Sequence, residues 1–148
     1  MNIYFICTGN TCRSPMAEAI LRSKALDGVT VRSAGIHAGD GFPIAQNAKQ
    51  LIEESSMPYT PVSSSVSRED LVWADVILTM TEAHKEALLF SFPEVKHKTF
   101  TLKGYVQSTD GRDVLDPFGG DLDTYRRTFN ELSNIMDELV QKMAGDQS

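Results

Sequence analysis

This chain has few of the features that stabilise or anchor a protein from outside its own core. Only two cysteines, Cys7 and Cys12, stand in 148 residues, both inside one short stretch, so no disulfide framework supports the fold. Their spacing is also wrong for a zinc ribbon, which takes cysteine pairs two residues apart and more of them. No apolar run approaches membrane-spanning length, and no basic amino-terminal segment leads into an apolar stretch with a cleavage site. A cytoplasmic, reducing location is therefore expected. Basic residues are the minority, 14 Lys and Arg against 20 Asp and Glu, and the net charge of −6 argues against nucleic acid as a partner. Internal repeats, low-complexity segments and linkers are missing too. The expectation is one domain, 1–148, large enough for a core of its own.

What the chain does have is concentrated at its start. Cys7-Thr8-Gly9-Asn10-Thr11-Cys12-Arg13-Ser14 places one thiol and one guanidinium at the ends of a short loop. Asn2 to Ile6, before it, has the apolar, β-branched and aromatic composition of a buried parallel strand. After it, Met16, Ile20 and Leu21 recur at helical spacing, and Asp27-Gly28 is a helix C-terminal signal. Such a loop lies where open α/β sheets bind ligands and where helix N–H groups attract anions. Thr8 to Ser14 thus read as a phosphate-binding nest, with Gly9 and Asn10 as the types that tolerate positive φ. Arg13 closes the ring, its planar fork matched to two phosphoryl oxygens.

Cys7 would then sit below the phosphorus. A thiol attacks only as the thiolate, and the nest, the helix N-terminus and Arg13 are all expected to lower its pKa. Ser14 supplies a hydroxyl for the sulfur. The competing reading of Cys7 is a small buried hydrophobe at a strand end. Cys12 also has two readings: a small buried residue beneath the loop, or the redox partner of Cys7 in a reversible disulfide that switches activity off under stress.

Further along, Val29 to Arg32 reads as a second strand leading into Ser33-Ala34-Gly35, where Ser33 is a candidate for fixing the phosphate loop and Gly35 for a close turn. Residues 38–43 read as a loop, with His37 beside it as a solvated histidine. Ile44 to about Ser56 is an amphipathic helix ended by Pro58 and Pro61. Ser67 to Asp70 matches a capping box opening a short helix anchored by Leu71, Val72 and Trp73. Asp75 to Met80 is a third buried strand, followed by a helix from Thr81 to about Ser91 carrying His84, read as a surface or core residue rather than a ligand. Lys98 to Leu102 is a fourth strand, with His97 exposed beside it. Tyr125, Phe129, Leu132, Met136, Leu139 and Met143 make one apolar helical seam, with fraying expected from Gly145 to Ser148. The alternation predicts an α/β fold, a three-layer domain with a four-stranded parallel sheet, helices on both faces and an N-terminal phosphate-binding loop.

CTGNTCRSP after an N-terminal strand, Arg32-Ser33-Ala34-Gly35 downstream and Asp116-Pro117 near the end together resemble the low-molecular-weight protein tyrosine phosphatase family over essentially the whole chain. The resemblance implies that Cys7 attacks phosphorus, that Arg13 and the loop hold the phosphoryl group, and that Asp116 is general acid and then base. Asp113, Asp121 and Asp123 are nearby, so the choice of Asp116 rests on the family's Asp-Pro pair; read from composition alone, the segment is a turn in which Asp121 begins the helix. Phosphotyrosine enzymes of the family usually have isoleucine at the position of Thr11 and aromatics after Asp-Pro, whereas here Phe118 is followed by Gly119-Gly120. That combination resembles the protein-arginine phosphatase branch, with Thr11 and Phe118 setting selectivity and tyrosine phosphatase as the alternative. A Thr11 hydroxyl pairs with guanidino N–H donors that a methyl group would leave unpaired. Phosphorylated proteins are the expected partners of a monomer with no cofactor and no metal, since Arg13 and the loop amides neutralise the phosphoryl oxygens. Arsenate reductases of this fold need cysteines downstream of Cys12, which this chain lacks, and a non-catalytic phosphoprotein-binding module would not need Cys7, Arg13 and Asp116 together.

Overall fold

The computed structural model describes residues 1–108 and 111–146. Strand β1 (Asn2–Cys7) runs through the loop into helix α1 (Arg13–Ser23), and β2 (Thr30–Gly35) returns beside it. Then come α2 (Gln46–Glu54), α3 (Arg68–Trp73), β3 (Val76–Thr79), α4 (Glu82–Ser91), a 3₁₀ turn over Pro93–Lys98, β4 (Thr99–Thr101), the four-residue α5 (Leu102–Tyr105) and the long α6 (Leu122–Asp146). The strands form one parallel sheet in the order β2-β1-β3-β4.

β1 is central and its residues from Ile3 onward are buried, which explains why it reads as continuously apolar rather than alternating. Its side chains divide between the faces. Ile3, Phe5 and Cys7 join a core with α1, α2 and α6, while Tyr4 and Ile6 pack with Leu71 of α3 and Leu88 of α4. The α6 seam is buried from Tyr125 to Met143 as its spacing requires, against α1 and α2.

Several boundaries depart from the sequence reading. α1 ends at Ser23 rather than at Asp27-Gly28: the Ala25 N–H closes on the Arg22 carbonyl, and Ala25 takes a left-handed φ of 48° that turns Leu26 and Val29 back onto the core. Gly28, at φ 75°, makes the second turn into β2. Ile44 is buried but lies in the loop before α2, its N–H bonded to the Pro61 carbonyl. In α3, Ser67 does cap the helix by accepting from the Asp70 N–H, but the Asp70 carboxylate turns to Arg32 at 2.6 Å instead of completing the box. Only Leu71 of the three expected anchors is buried. A six-residue helix has one inward position per turn, so Val72 is exposed and Trp73 lies half-buried under the Arg32 guanidinium, 4.1 Å from its ring centre. α6 continues through Gly145, where fraying was expected; 147 and 148, the rest of that expectation, lie outside the described residues.

Candidate active site

The parallel sheet brings the carboxyl ends of β1, β2 and β3 to one edge, and the loop of residues 8–12 lies there. Cys7, Thr8, Gly9, Thr11, Cys12, Arg13, Asp116 and Phe118 line a single cavity of about 230 Å³. Residues from the two ends of the chain therefore meet around one space. Arg13 makes the junction: buried to 5% exposure, it donates from Nη1 to the Val114 carbonyl at 3.1 Å, and its Nη2 lies 3.6 Å from Asp116 Oδ2. Asp116 is exposed and accepts the Phe118 N–H at 3.0 Å, which folds the Asp-Pro segment over the cavity with the Phe118 ring largely in solvent. Asp121 accepts the Thr124 N–H at 2.9 Å and so caps α6; the Thr124 hydrogen bonds hold its carboxyl below the usual range.

Asn10 and Ser14, expected among the phosphate-binding residues, do not line the cavity. They are buried behind the loop, at 2% and 0% exposure, and build its scaffold. Asn10 takes the left-handed φ of 55°, a conformation its short amide tolerates. Its Nδ2 donates to Ser14 Oγ (2.8 Å) and Ser33 Oγ (3.0 Å), and its Oδ1 accepts the Ser64 N–H (2.8 Å). Gly9, the other residue expected at positive φ, is not there. Gly35 matters through proximity: a Cβ on it would lie 2.5 Å from the Thr8 carbonyl oxygen and 2.8 Å from the Asn10 nitrogen.

Cys7 Sγ is buried 2.7 Å from Ser14 Oγ and accepts the Asn10 N–H at 3.3 Å. Burial pushes the thiol up, while Ser14, Asn10 and Arg13 pull it down. The upward direction reverses the depression expected from the sequence, because burial of the sulfur outweighs the pull of Ser14, Asn10 and Arg13. Cys12 Sγ turns to the Tyr125 hydroxyl on α6 at 3.3 Å, and both cysteines are free thiols. Burial and the Cys12 contact push Tyr125 above its ordinary value.

His84 takes the core alternative of its sequence reading, at 8% exposure, but the sequence did not show that it presents Nε2 to Thr8 Oγ1 at 2.7 Å. Its place at the start of the helix after β3, on the same sheet edge as the loop, was the available signal. His37 and His97 are exposed. Among the described residues no three His, Cys, Asp or Glu side chains gather to hold a metal ion, and no helix is long and apolar enough to cross a membrane.

This arrangement sets a thiol, a guanidinium and a carboxyl group about one cavity. Several known proteins are similar to this chain. A protein-arginine-phosphatase of Geobacillus stearothermophilus is 46% identical over 145 residues, covering 98% of this chain and 97% of its own. A solved arginine phosphatase structure, YwlE from that organism, superposes with a TM-score of 0.94 at 45% identity, covering 99% and 94% of the two chains. A second YwlE structure, with a phosphorylated serine replacing its active-site cysteine, gives 0.92 at 41% identity over 99% and 97%. The low molecular weight protein-tyrosine-phosphatase PtpB of Staphylococcus haemolyticus is 40% identical over 139 residues, 94% of this chain and 97% of its own. The family model for low molecular weight phosphotyrosine protein phosphatases matches residues 2–148, and the chain belongs to that family.

Proposed function

We propose that this phosphatase hydrolyses phosphoarginine in proteins through a phosphocysteine intermediate. The observation that carries the reading is the single cavity in which Cys7, Arg13 and Asp116 meet Thr11 and Phe118. The Cys7 thiol passes its proton to an oxygen of the entering phosphoryl dianion and attacks phosphorus as the thiolate; the S–P bond forms and the bond from phosphorus to the guanidino nitrogen breaks, while the Asp116 carboxyl gives its proton to that nitrogen. Water then attacks phosphorus, the Asp116 carboxylate takes its proton, the S–P bond breaks and inorganic phosphate leaves. The Ser14 hydroxyl, 2.7 Å from the sulfur, stabilises the departing thiolate. Arg13 and the main-chain amides of the loop residues that line the cavity hold the phosphoryl oxygens, so no metal is required for charge neutralisation.

Thr11 supports the guanidino substrate by offering an acceptor to its N–H groups, and Phe118 by offering a ring face. The relatives named as arginine phosphatases, one of them captured with phosphate on its active-site residue, point the same way. Phosphotyrosine is the second reading, favoured by relatives such as PtpB that carry the tyrosine phosphatase name. Cytoplasmic location, action as a monomer and a Cys7–Cys12 disulfide under oxidising stress belong to the same proposal. The test is kcat/KM on matched peptides bearing phosphoarginine or phosphotyrosine, with reductant and chelator present. Preference for phosphoarginine is expected. Preference for phosphotyrosine would leave Cys7, Arg13 and Asp116 in their roles and overturn the substrate; activity on neither would return the chain to a phosphoprotein-binding role.

A further inference from the structure

Thr8 stands between two spaces. It lines the Cys7 cavity and also a neighbouring groove of about 680 Å³, whose wall includes Thr81, His84, Lys103, Asp113 and Glu131. Its hydroxyl meets the only side chain on α4 that reaches the phosphate loop through a hydrogen bond among the described residues, His84. We infer that His84 is a positioning residue for phosphoryl binding, donating its Nε2–H to Thr8 Oγ1 so that the Thr8 hydroxyl hydrogen is left to point at an oxygen of the bound phosphoryl group. The inference rests on the phosphatase reading of the Cys7 loop but not on which phosphorylated side chain is cleaved.

The tautomer follows from the surroundings. His84 Nδ1 is buried without a hydrogen-bond partner. A hydrogen there would be an unpaired buried donor, whereas a bare lone pair is the smaller loss. The hydrogen therefore belongs on Nε2, 2.7 Å from Thr8. A second proton is opposed first by burial and then by Arg13, with His37 adding least, against favourable fields from Asp116 and Asp113, and the pKa falls to about 4. At neutral pH the ring is then one fixed donor. The backbone holds it in place: Thr81 caps α4 by accepting the His84 N–H at 3.1 Å, and the Ile6–Thr79 register of β1 and β3 sets the two strand ends side by side.

The consequence lies in the hydroxyl's single hydrogen. Once Oγ1 accepts from His84, that hydrogen has no claim from the imidazole and is available to the cavity that Thr8 shares with Cys7 and Arg13. Arg13 supplies two donors to a phosphoryl group with three non-bridging oxygens; Thr8 supplies another from the opposite end of the loop.

Two measurements on the full chain test this. Long-range proton–nitrogen NMR of the imidazole should show the Nε2–H tautomer and no second protonation above about pH 5. Turnover of p-nitrophenyl phosphate and inhibition by vanadate should then be compared in His84→Phe, His84→Gln, Thr8→Val and the double variant His84→Phe/Thr8→Val. The single changes His84→Phe and Thr8→Val are each expected to lower kcat/KM and vanadate affinity by about tenfold, and the double variant no further. His84→Gln, whose amide nitrogen matches Nε2, is expected to retain most of both. An Nδ1–H tautomer, unchanged vanadate affinity in Thr8→Val, or additive losses would overturn it. Should His84→Phe not fold, Thr8→Val and the wild-type tautomer decide the matter alone. Vanadate binding and the expected tautomer without turnover of any phosphoester or phosphoramidate would refute the phosphatase reading and spare this one.

Discussion

Replacing Asn10 with alanine removes two separable contributions from the phosphate loop. The first is a set of three buried or half-buried hydrogen bonds, to Ser14, Ser33 and the Ser64 N–H. At a net 0.5–1.5 kcal/mol each, they amount to roughly 3 kcal/mol. The second is conformational, because alanine at φ 55° lacks the local compensation that asparagine finds there, which adds about 1 kcal/mol. Asn10→Ala is therefore expected to lose about 4 kcal/mol by denaturant unfolding, and to melt roughly 10 °C lower. Asn10→Gly loses the same hydrogen bonds while accepting the backbone angle, so it should be about 1 kcal/mol more stable than the alanine variant. Both should also turn over slowly even where they are folded, since Ser14 Oγ is no longer held against the Cys7 sulfur. A loss below about 1 kcal/mol, or wild-type turnover in both folded variants, would refute the claim that Asn10 is the scaffold of the loop.

Gly35→Ala should damage activity and stability together, because its Cβ would meet the loop's own backbone at Thr8 and Asn10; a variant with normal kcat/KM would show that the loop yields there. Thr11→Ile should shift the ratio of kcat/KM from phosphoarginine toward phosphotyrosine by at least about tenfold, the scale of one unpaired donor, and an unchanged ratio would remove Thr11 from selectivity. Peroxide should inactivate the enzyme reversibly by thiol reductant in the wild type and irreversibly in Cys12→Ala, whereas equal recovery in both would exclude a Cys7–Cys12 disulfide. His84 sets an acid limb on stability. Its folded pKa of about 4 lies below the ordinary 6.5, so the unfolded state binds more protons between these values and stability falls as pH drops through that window, levelling off below it. Unfolding midpoints from pH 7 to 4 should lose on the order of 1–2 kcal/mol more in the wild type than in His84→Gln, and parallel curves would show that His84 is not held neutral.

The parts of this molecule legible in the sequence are those that local chemistry determines. β1, the loop and α1 are contiguous, and the residue types of Cys7, Asn10 and Arg13 suggest the roles proposed for them. The α6 seam is equally plain, since a repeat of apolar residues at steps of four and three has one outcome on a helix beside a sheet. What stayed hidden depends on residues far apart in sequence. The Thr8–His84 hydrogen bond joins positions 76 apart and the Arg13–Val114 bond positions 101 apart, both set by how strand ends align rather than by any motif. Val72 and the end of α1 were misread for a related reason. Apolar composition at a short helix does not say which side faces inward, and Ala25 is not a residue whose type announces a left-handed turn. The Cys7 thiol shows the same limit in electrostatics, because a list of favourable neighbours does not reveal how deeply the sulfur is buried.

The tie between Arg13 and the segment carrying Asp116 has a consequence for the life of the protein on the ribosome. Cys7 and Arg13 are synthesised well before the Val114 carbonyl that holds Arg13, the Asp116 carboxyl and the Tyr125 hydroxyl behind Cys12. α6 must then emerge and lie down on α1 before that segment is fixed. On the proposed mechanism, a nascent chain carries the Cys7 thiol before the carboxyl that would complete its site, and would not act on phosphoproteins until α6 has closed on α1. On that proposal, turnover reports that α6 has been made and packed.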